Sequence, residues 1–294
     1  TSNCRSSSSS SIRYLDLGTG NASVLQMTIW ALRKEQKELQ VEAFGVEARS
    51  EAVGLARRSL SFNMGTYVEG GNNDILPSEG NSAHVIHSDF RDLAGGNSSN
   101  TEGKEDASLL ESVRCSKKFD LVTGTPPYFR VDFATDSSAS NASSSSSPSA
   151  TPHHGAIVKS ATIVQGGMPT SVQSAPARCE FRGGVEAYCN TASAMLSSSH
   201  GARFVVCENW LNNQRVYDGA KEAKLDIVTV LPVKGKENKN SPLFGVYVLR
   251  KANVESGENP SKKTEVLPPL AVRNQHGDWT TEYTGVMADM AIPS

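Results

Sequence analysis

Residues 125–128, Thr-Pro-Pro-Tyr, have the types and spacing to do chemistry on an amino nitrogen. They follow the apolar run Phe119-Asp120-Leu121-Val122, which predicts a buried strand. Two prolines cannot continue a sheet ladder, so the chain leaves the sheet here. In an open α/β sheet, that exit is where ligands bind. The Pro126 carbonyl, its direction fixed by the ring, and the side chain of Thr125 offer two hydrogen-bond acceptors. An exocyclic amine or planar amide that donates both N–H groups to such a pair favours a pyramidal nitrogen. Its lone pair is then free of conjugation and held in line for attack. Pro127 stiffens the same turn, and Tyr128 offers a face on which an unpaired or flipped base can stack. The plainer reading of these four residues is a rigid structural turn with a packed tyrosine.

A second cluster is Asp16-Leu17-Gly18-Thr19-Gly20-Asn21-Ala22, where an apolar strand runs into a glycine turn that carries a carboxylate. Gly18 and Gly20 let backbone approach a ligand at a helix N-terminus. A dinucleotide fingerprint requires a third glycine, and position 23 is Ser. A carboxylate just ahead of the glycines suits a cationic ligand rather than a pyrophosphate. Glu47 ends the next strand, where an acid can accept both hydroxyls of a ribose. Asp89 ends a third strand, where it can accept an adenine amino group, with Phe90 against the ring. Taken singly, these are a bare tight turn, a helix-capping acid and a loop acid. Three successive strands ending in acids at one sheet edge are far more specific.

Those positions require a parallel sheet, and the chain supplies one. Strands are expected at Ile12–Leu17, Val41–Val46, His84–His87, Phe119–Thr123, Arg203–Cys207, Ile227–Leu231 and Leu243–Leu249, most of them separated by helical patterns. The helices are expected over Ala22–Leu39, Ser50–Phe62, Val185–Leu196 and Asn213–Ala223. This alternation predicts a doubly wound, seven-stranded Rossmann-like sheet with an antiparallel edge strand. The fold domain spans 12–251, preceded by a disordered Ser-rich segment, 1–11, and followed by a linker and C-terminal extension, 252–294. Residues 94–117 read mainly as an insertion, and 134–176 as a long Ser/Pro/Gly-rich excursion. In the extension, Leu270–Tyr283 reads as a short hairpin across Gly277. Lys234, Lys236 and Lys239 form a basic segment, solvated or in contact with phosphate.

The chain has 294 residues, is 37% hydrophobic and carries a net charge of −2, enough for one large α/β domain. That balance is not that of a protein resident on nucleic acid, although a local basic face allows a transient RNA substrate. The five cysteines lack paired metal-type spacing and read as reduced, which favours an intracellular, cytoplasmic setting. The chain does not begin with Met, which reads as a fragment or processed form and leaves an organellar targeting segment open. No apolar stretch reaches membrane-spanning length. His84 and His87 point to opposite strand faces, and His153-His154 has no completing ligands, so no metal site is expected.

Asp-Leu-Gly-Thr-Gly, Gly-Val-Glu-Ala, Ser-Asp-Phe and x-Pro-Pro-Tyr-Phe, in this order, resemble class I S-adenosylmethionine (SAM) dependent methyltransferases. Ala177-Arg178-Cys179-Glu180-Phe181-Arg182 resembles the Ala-Arg-x-Glu segment of the bacterial tRNA(Val) adenine-N6 methyltransferases. The resemblance covers Ile12 to Lys251. It implies SAM as cofactor, with Asp16, Gly18 and Gly20 at its amino-acid end, Glu47 at its ribose and Asp89-Phe90 at its adenine. It further implies Thr125, Pro126 and Tyr128 as catalytic residues, Pro127, Arg178 and Glu180 at the substrate, and tRNA or another RNA as partner. The chain departs from the family at Thr125, where Asn is usual, and in lacking an N-terminal element before the first strand. Three other readings use the same residues: a glutamine-N5 protein methyltransferase, a small-molecule N-methyltransferase, and a SAM-binding scaffold without catalysis.

Overall fold

The computed structural model describes residues 10–64, 82–95, 104–128, 131–133, 161–163, 179–180, 182–252, 264–290 and 292. The chain divides into two compact units, one of 1–126 with 185–294 and the other of 127–184.

The larger unit opens with β1 (Ser11–Leu17), α1 (Ser23–Glu35), β2 (Gln40–Glu47), α2 (Ser50–Met64) and β3 (Ser82–His87). A 3-10 turn (Phe90–Ala94), α3 (Lys104–Cys115) and β4 (Leu121–Gly124) follow. After the second unit come α4 (Val185–Met195), β7 (Arg203–Asn209), α5 (Asn213–Glu222), β8 (Leu225–Lys236) and β9 (Phe244–Lys251). Two short strands, β10 (Glu265–Val266) and β11 (Leu270–Arg273), and helix α6 (Thr281–Asp289) complete it.

The sheet order is β10-β8-β9-β7-β4-β1-β2-β3, with β11 also on β8. β1 pairs in parallel with β2 and β4, β2 with β3, and β4 with β7. β9 runs antiparallel to both β7 and β8. The doubly wound sheet with an antiparallel pair toward one edge is therefore the observed architecture. The seven expected strands gain two from the C-terminal extension.

Alternation along each strand sorts the core into two layers. Leu15, Leu17 and Val46 join Phe119 and Phe204 on one face, together with α3, α4 and α5 residues. Tyr14, Val41 and Ala43 meet Leu25 and Ile29 of α1 and Leu60 of α2 on the other. Each fully buried Leu or Ile contributes about 1.5–3 kcal/mol relative to exposure. The second unit contains β5 (Val131–Phe133) and β6 (Ala161–Ile163), paired antiparallel.

Five expectations are corrected. Residues 104–115, read as part of an insertion, form a helix because Leu110 and Val113 share a face that reaches the core. Residues 161–163, inside the Ser-rich excursion, are strand β6, with register Ile163 on Val131. β8 runs to Lys236, so Lys234 and Lys236 belong to a strand rather than to a loop. The C-terminal hairpin is reduced to the single bridge Arg273–Trp279, and helix α6 follows. Thr280 caps that helix by accepting from the Tyr283 N–H at 3.2 Å while donating to the Ala271 carbonyl. The expected disorder of 1–11 is corrected at Ser11, which opens β1 opposite Gln40, while 1–9 and, apart from β6, 134–176 lie outside the described residues.

Candidate functional site

β1, β2 and β3 run in parallel, so their C-terminal ends present acids at one edge. Asp16 is the next-to-last residue of β1, Glu47 the last of β2, and Asp89 lies two residues beyond β3. The turn after β1 places Gly18, Gly20 and Ala22 at φ of 65°, 59° and 65°. This region costs a side-chain-bearing residue of order 1–3 kcal/mol, which explains two glycines and leaves Ala22 strained. Ala22 is fully buried, and its N–H is held by the Thr19 carbonyl at 2.9 Å.

Asp16 is 3% exposed. Its Oδ2 accepts from the Thr19 hydroxyl at 2.7 Å and its Oδ1 from the Thr123 hydroxyl at 2.6 Å. The Tyr14 hydroxyl lies 2.8 Å from Thr123 Oγ1. Thr123 has one proton and spends it on Asp16, so Tyr14 donates in turn. Burial, and then the Asp16 charge, hold Tyr14 well above its ordinary range, so that proton stays in place. Burial also pushes Asp16 up to about 6, against the lowering effect of the two threonines. The relay ties β1, the glycine turn and β4, and its Thr123 stands two residues before Thr125.

Thr19 rests on β2 through a missing side chain. A Cβ at Gly45 would come within 2.8 Å of Thr19 Cγ2. Gly45→Ala is therefore expected to lower stability by about 1–3 kcal/mol through overpacking. Chemical denaturation checks this, and an unchanged midpoint would mean that Thr19 can move aside at no cost.

Glu47 is 6% exposed and holds the turn from the other side. Its Oε2 accepts from the Gly20 N–H at 2.9 Å, and its Oε1 accepts from the Arg49 N–H and Nε, each at 2.9 Å. Asp89 accepts from Arg91 Nε at 2.9 Å and Nη2 at 2.7 Å, a two-point pairing, and from the Arg91 N–H at 3.0 Å.

Tyr188 of α4 is the centrepiece that sequence reasoning missed. Its ring lies 4.3 Å from that of Phe90. A Cβ at Gly18 would come within 2.5 Å of its hydroxyl, and one at Gly124 within 2.5 Å of Cδ1. Burial and the charges of Glu47, Asp16 and Asp89 raise its phenol far above the ordinary range. Its hydroxyl lies against Gly18, in the turn that Asp16 and Glu47 hold from either side. Arg49 was missed as well, and its Nη2 would be 3.9 Å from a Cβ at Gly20, the nearest atom there among the described residues. The signal for Tyr188 was its place on the α4 apolar stripe, which reads simply as core.

Thr125 is exposed and Pro126 buried, directly after β4. Pro127, Tyr128 and Glu180 belong to the second unit, and each is half-buried. Glu180 accepts through its carbonyl from the Gly183 N–H at 3.3 Å. Arg178 lies outside the described residues. Among the described residues, no group of His, Cys, Asp and Glu could hold a metal, and no helix is long and apolar enough to cross a membrane.

No family model matches the chain. No curated protein matches either. Among solved structures, the chain is similar to a predicted O-methyltransferase from Agrobacterium tumefaciens, with 13% identity, 96% of this chain and 91% of that chain covered, and a TM-score of 0.48. A protein from Listeria monocytogenes assigned as a class I SAM-dependent methyltransferase gives 12% identity, 97% and 65% coverage, and a TM-score of 0.47. A SAM-dependent methyltransferase from Aquifex aeolicus gives 10% identity, 81% coverage of each chain, and a TM-score of 0.38. The chain thus spans just under two thirds of the Listeria protein.

Proposed function

We propose that the chain is a SAM-dependent N-methyltransferase whose acceptor is the N6 amino group of adenine in RNA, with tRNA as the class of substrate. The observation that carries the cofactor half is the placement of Asp16, Glu47 and Asp89 at the C-terminal ends of three adjacent parallel strands, beside a turn with Gly18 and Gly20 at positive φ. The donor set fits the group: a buried carboxylate for a cation, a second for ribose hydroxyls, and a third for an adenine amine. Asp16 would set the charge beneath the amino-acid end, while its threonine relay holds the turn in shape. Glu47 keeps acceptor capacity beyond its bonds to Gly20 and Arg49, because each carboxylate oxygen accepts more than once. When bound, SAM supplies an electrophilic methyl group. The Pro126 carbonyl and the Thr125 hydroxyl take the two N–H groups of the acceptor amine and free its lone pair. Tyr128 supplies the stacking face.

Glu47→Ala is expected to weaken SAM binding by about 1–3 kcal/mol, the loss of a charge-assisted hydrogen bond. Calorimetry giving the wild-type affinity would remove Glu47 from the cofactor site. The acceptor is tested by incubating the protein with methyl-labelled SAM and, separately, total tRNA, total protein or a metabolite extract. Label in tRNA, recovered as N6-methyladenosine, supports the reading. Label in protein points instead to glutamine-N5 transfer, and label in metabolites to a small-molecule acceptor. SAM binding with no transfer to any extract would make the chain a scaffold.

A further inference from the structure

We propose that the projecting ends of β8 and β11 form an arm that docks the phosphodiester backbone of single-stranded or looped nucleic acid beside the ligand edge. The proposal rests on the nucleic-acid reading of the acceptor given above. β7 is parallel to β4, β9 reverses, and β8 reverses again, so β8 runs with β1 to β4. β11 is parallel to β8. The C-terminal ends of β8 and β11 therefore lie at the edge that carries Asp16 and Glu47. The β8–β9 pairing stops at Val233–Phe244. Beyond it β8 is held by β11 alone, Lys234 opposite Ala271 and Lys236 opposite Arg273.

Register and alternation set Lys234, Lys236 and Arg273 on one face of this arm. Like charges placed side by side repel, and the cost falls when an anion bridges them. Among the described residues, no ion pair engages Lys234, Lys236 or Lys239, of which Lys236 and Lys239 are exposed. Among the described residues, the nearby acids make no ion pair with these lysines: Glu237 lies in the turn just past β8, Asp278 accepts from Asn274 Nδ2 at 3.3 Å, and Glu282 belongs to the first turn of α6.

Beside the cations stands a stack of planar groups. The Arg273 guanidinium lies 3.7 Å from the Trp279 ring centre, and the Trp279 and Tyr283 rings are 5.2 Å apart at 35°. Trp279 is 38% exposed. Lysines along an extended strand beside a partly open aromatic face are what a nucleic-acid strand engages, phosphates on the one and bases on the other. An acidic peptide would satisfy the lysines and leave the stack unused. Three strand spacings separate β8 from β4, roughly 14 Å, so a strand on the arm reaches the turn after β4 within a few nucleotides.

The test is fluorescence anisotropy with a labelled single-stranded RNA oligonucleotide of mixed sequence, over a salt series, on the full chain. SAM affinity and the thermal midpoint are measured in parallel. The triple variant Lys234→Gln/Lys236→Gln/Lys239→Gln is expected to lose about tenfold or more in RNA affinity. Its log–log salt slope should shrink by about 2, from three lost phosphate contacts. Trp279→Leu should weaken RNA binding about fivefold or more with the salt slope unchanged, because a stacking face carries no charge. SAM affinity should stay as in the wild type in both. If the wild type binds RNA and the triple variant binds it equally well, the arm proposal is overturned while the acceptor reading stands. If the wild type binds no RNA at low salt, or binds only polyglutamate, both fall.

Discussion

Replacing Asp16 by Asn is expected to abolish SAM binding while stabilising the free protein at pH 7. The two effects share one cause, a carboxylate buried by its surroundings and pushed up to about 6. A raised carboxyl pKa means that the folded protein holds this proton more tightly than the unfolded chain does. The contribution of Asp16 to stability is therefore best below about pH 4. It declines as the pH rises through the interval up to about 6 and stays unfavourable above it, by on the order of 2–3 kcal/mol. Asn removes the charge and keeps the shape. Thr123 can turn its hydroxyl to accept from the new amide, with Tyr14 accepting from Thr123 in turn. Denaturation of wild type and Asp16→Asn at pH 5 and pH 7.5 should show the variant gaining more at the higher pH. SAM affinity of the wild type should rise across the same interval as Asp16 ionises, and the variant should bind none. Wild-type SAM affinity in Asp16→Asn would end the role of this charge in cofactor binding, whatever the stability data show.

The sheet was legible in the sequence because its strands are short apolar runs, the first three ending beside acids, and most of them are separated by helical stripes. What escaped was set by contacts far apart in the chain. Helix α3 has only Leu109, Leu110 and Val113 as large apolar residues among charges, a weak period next to a Gly/Asn/Ser stretch. The C-terminal extension carries a good turn signal at Gly277, with Asn274 Oδ1 accepting three successive N–H groups from residues 276–278. That local signal suggests a hairpin. The pairing that forms is instead with β8, 37 residues earlier, a choice no local pattern encodes.

The site divides in the same way. Acids at strand ends can be read from spacing alone. The hydroxyls of Thr19 and Thr123 that hold Asp16 are readable only once β1 and β4 are known to be neighbours. Tyr188 looks like any core aromatic until α4 is laid across Gly18 and Gly124. Both glycines then have a second meaning, since each makes room for the ring as well as for a turn. Gly124 occupies the last position of β4, so the room it gives Tyr188 also sets where Thr125 begins.

Position 125 decides whether the amino-group chemistry proposed here is right. Thr125→Val keeps the shape and removes the hydroxyl. It is expected to lower turnover far more than apparent substrate affinity, because the contact strengthens as the nitrogen pyramidalises and matters little before then. A loss of one strong transition-state hydrogen bond corresponds to about 10²–10³ in rate. Thr125→Asn supplies an amide oxygen on a longer side chain, free of the need to place a proton of its own elsewhere. It should match or exceed the wild type on adenine N6. Tyr128→Ala should weaken RNA binding by about 1–3 kcal/mol, the range for a base-stacking aromatic, and leave SAM affinity intact. The variants separate the roles, since Val acts on rate, Ala on affinity, and neither on the cofactor. A Val variant as fast as wild type on the true acceptor would show that the Thr125 hydroxyl takes no N–H. The nitrogen would then have to be freed by the Pro126 carbonyl with some other partner, while Asp16, Glu47 and Asp89 kept their place in the cofactor site.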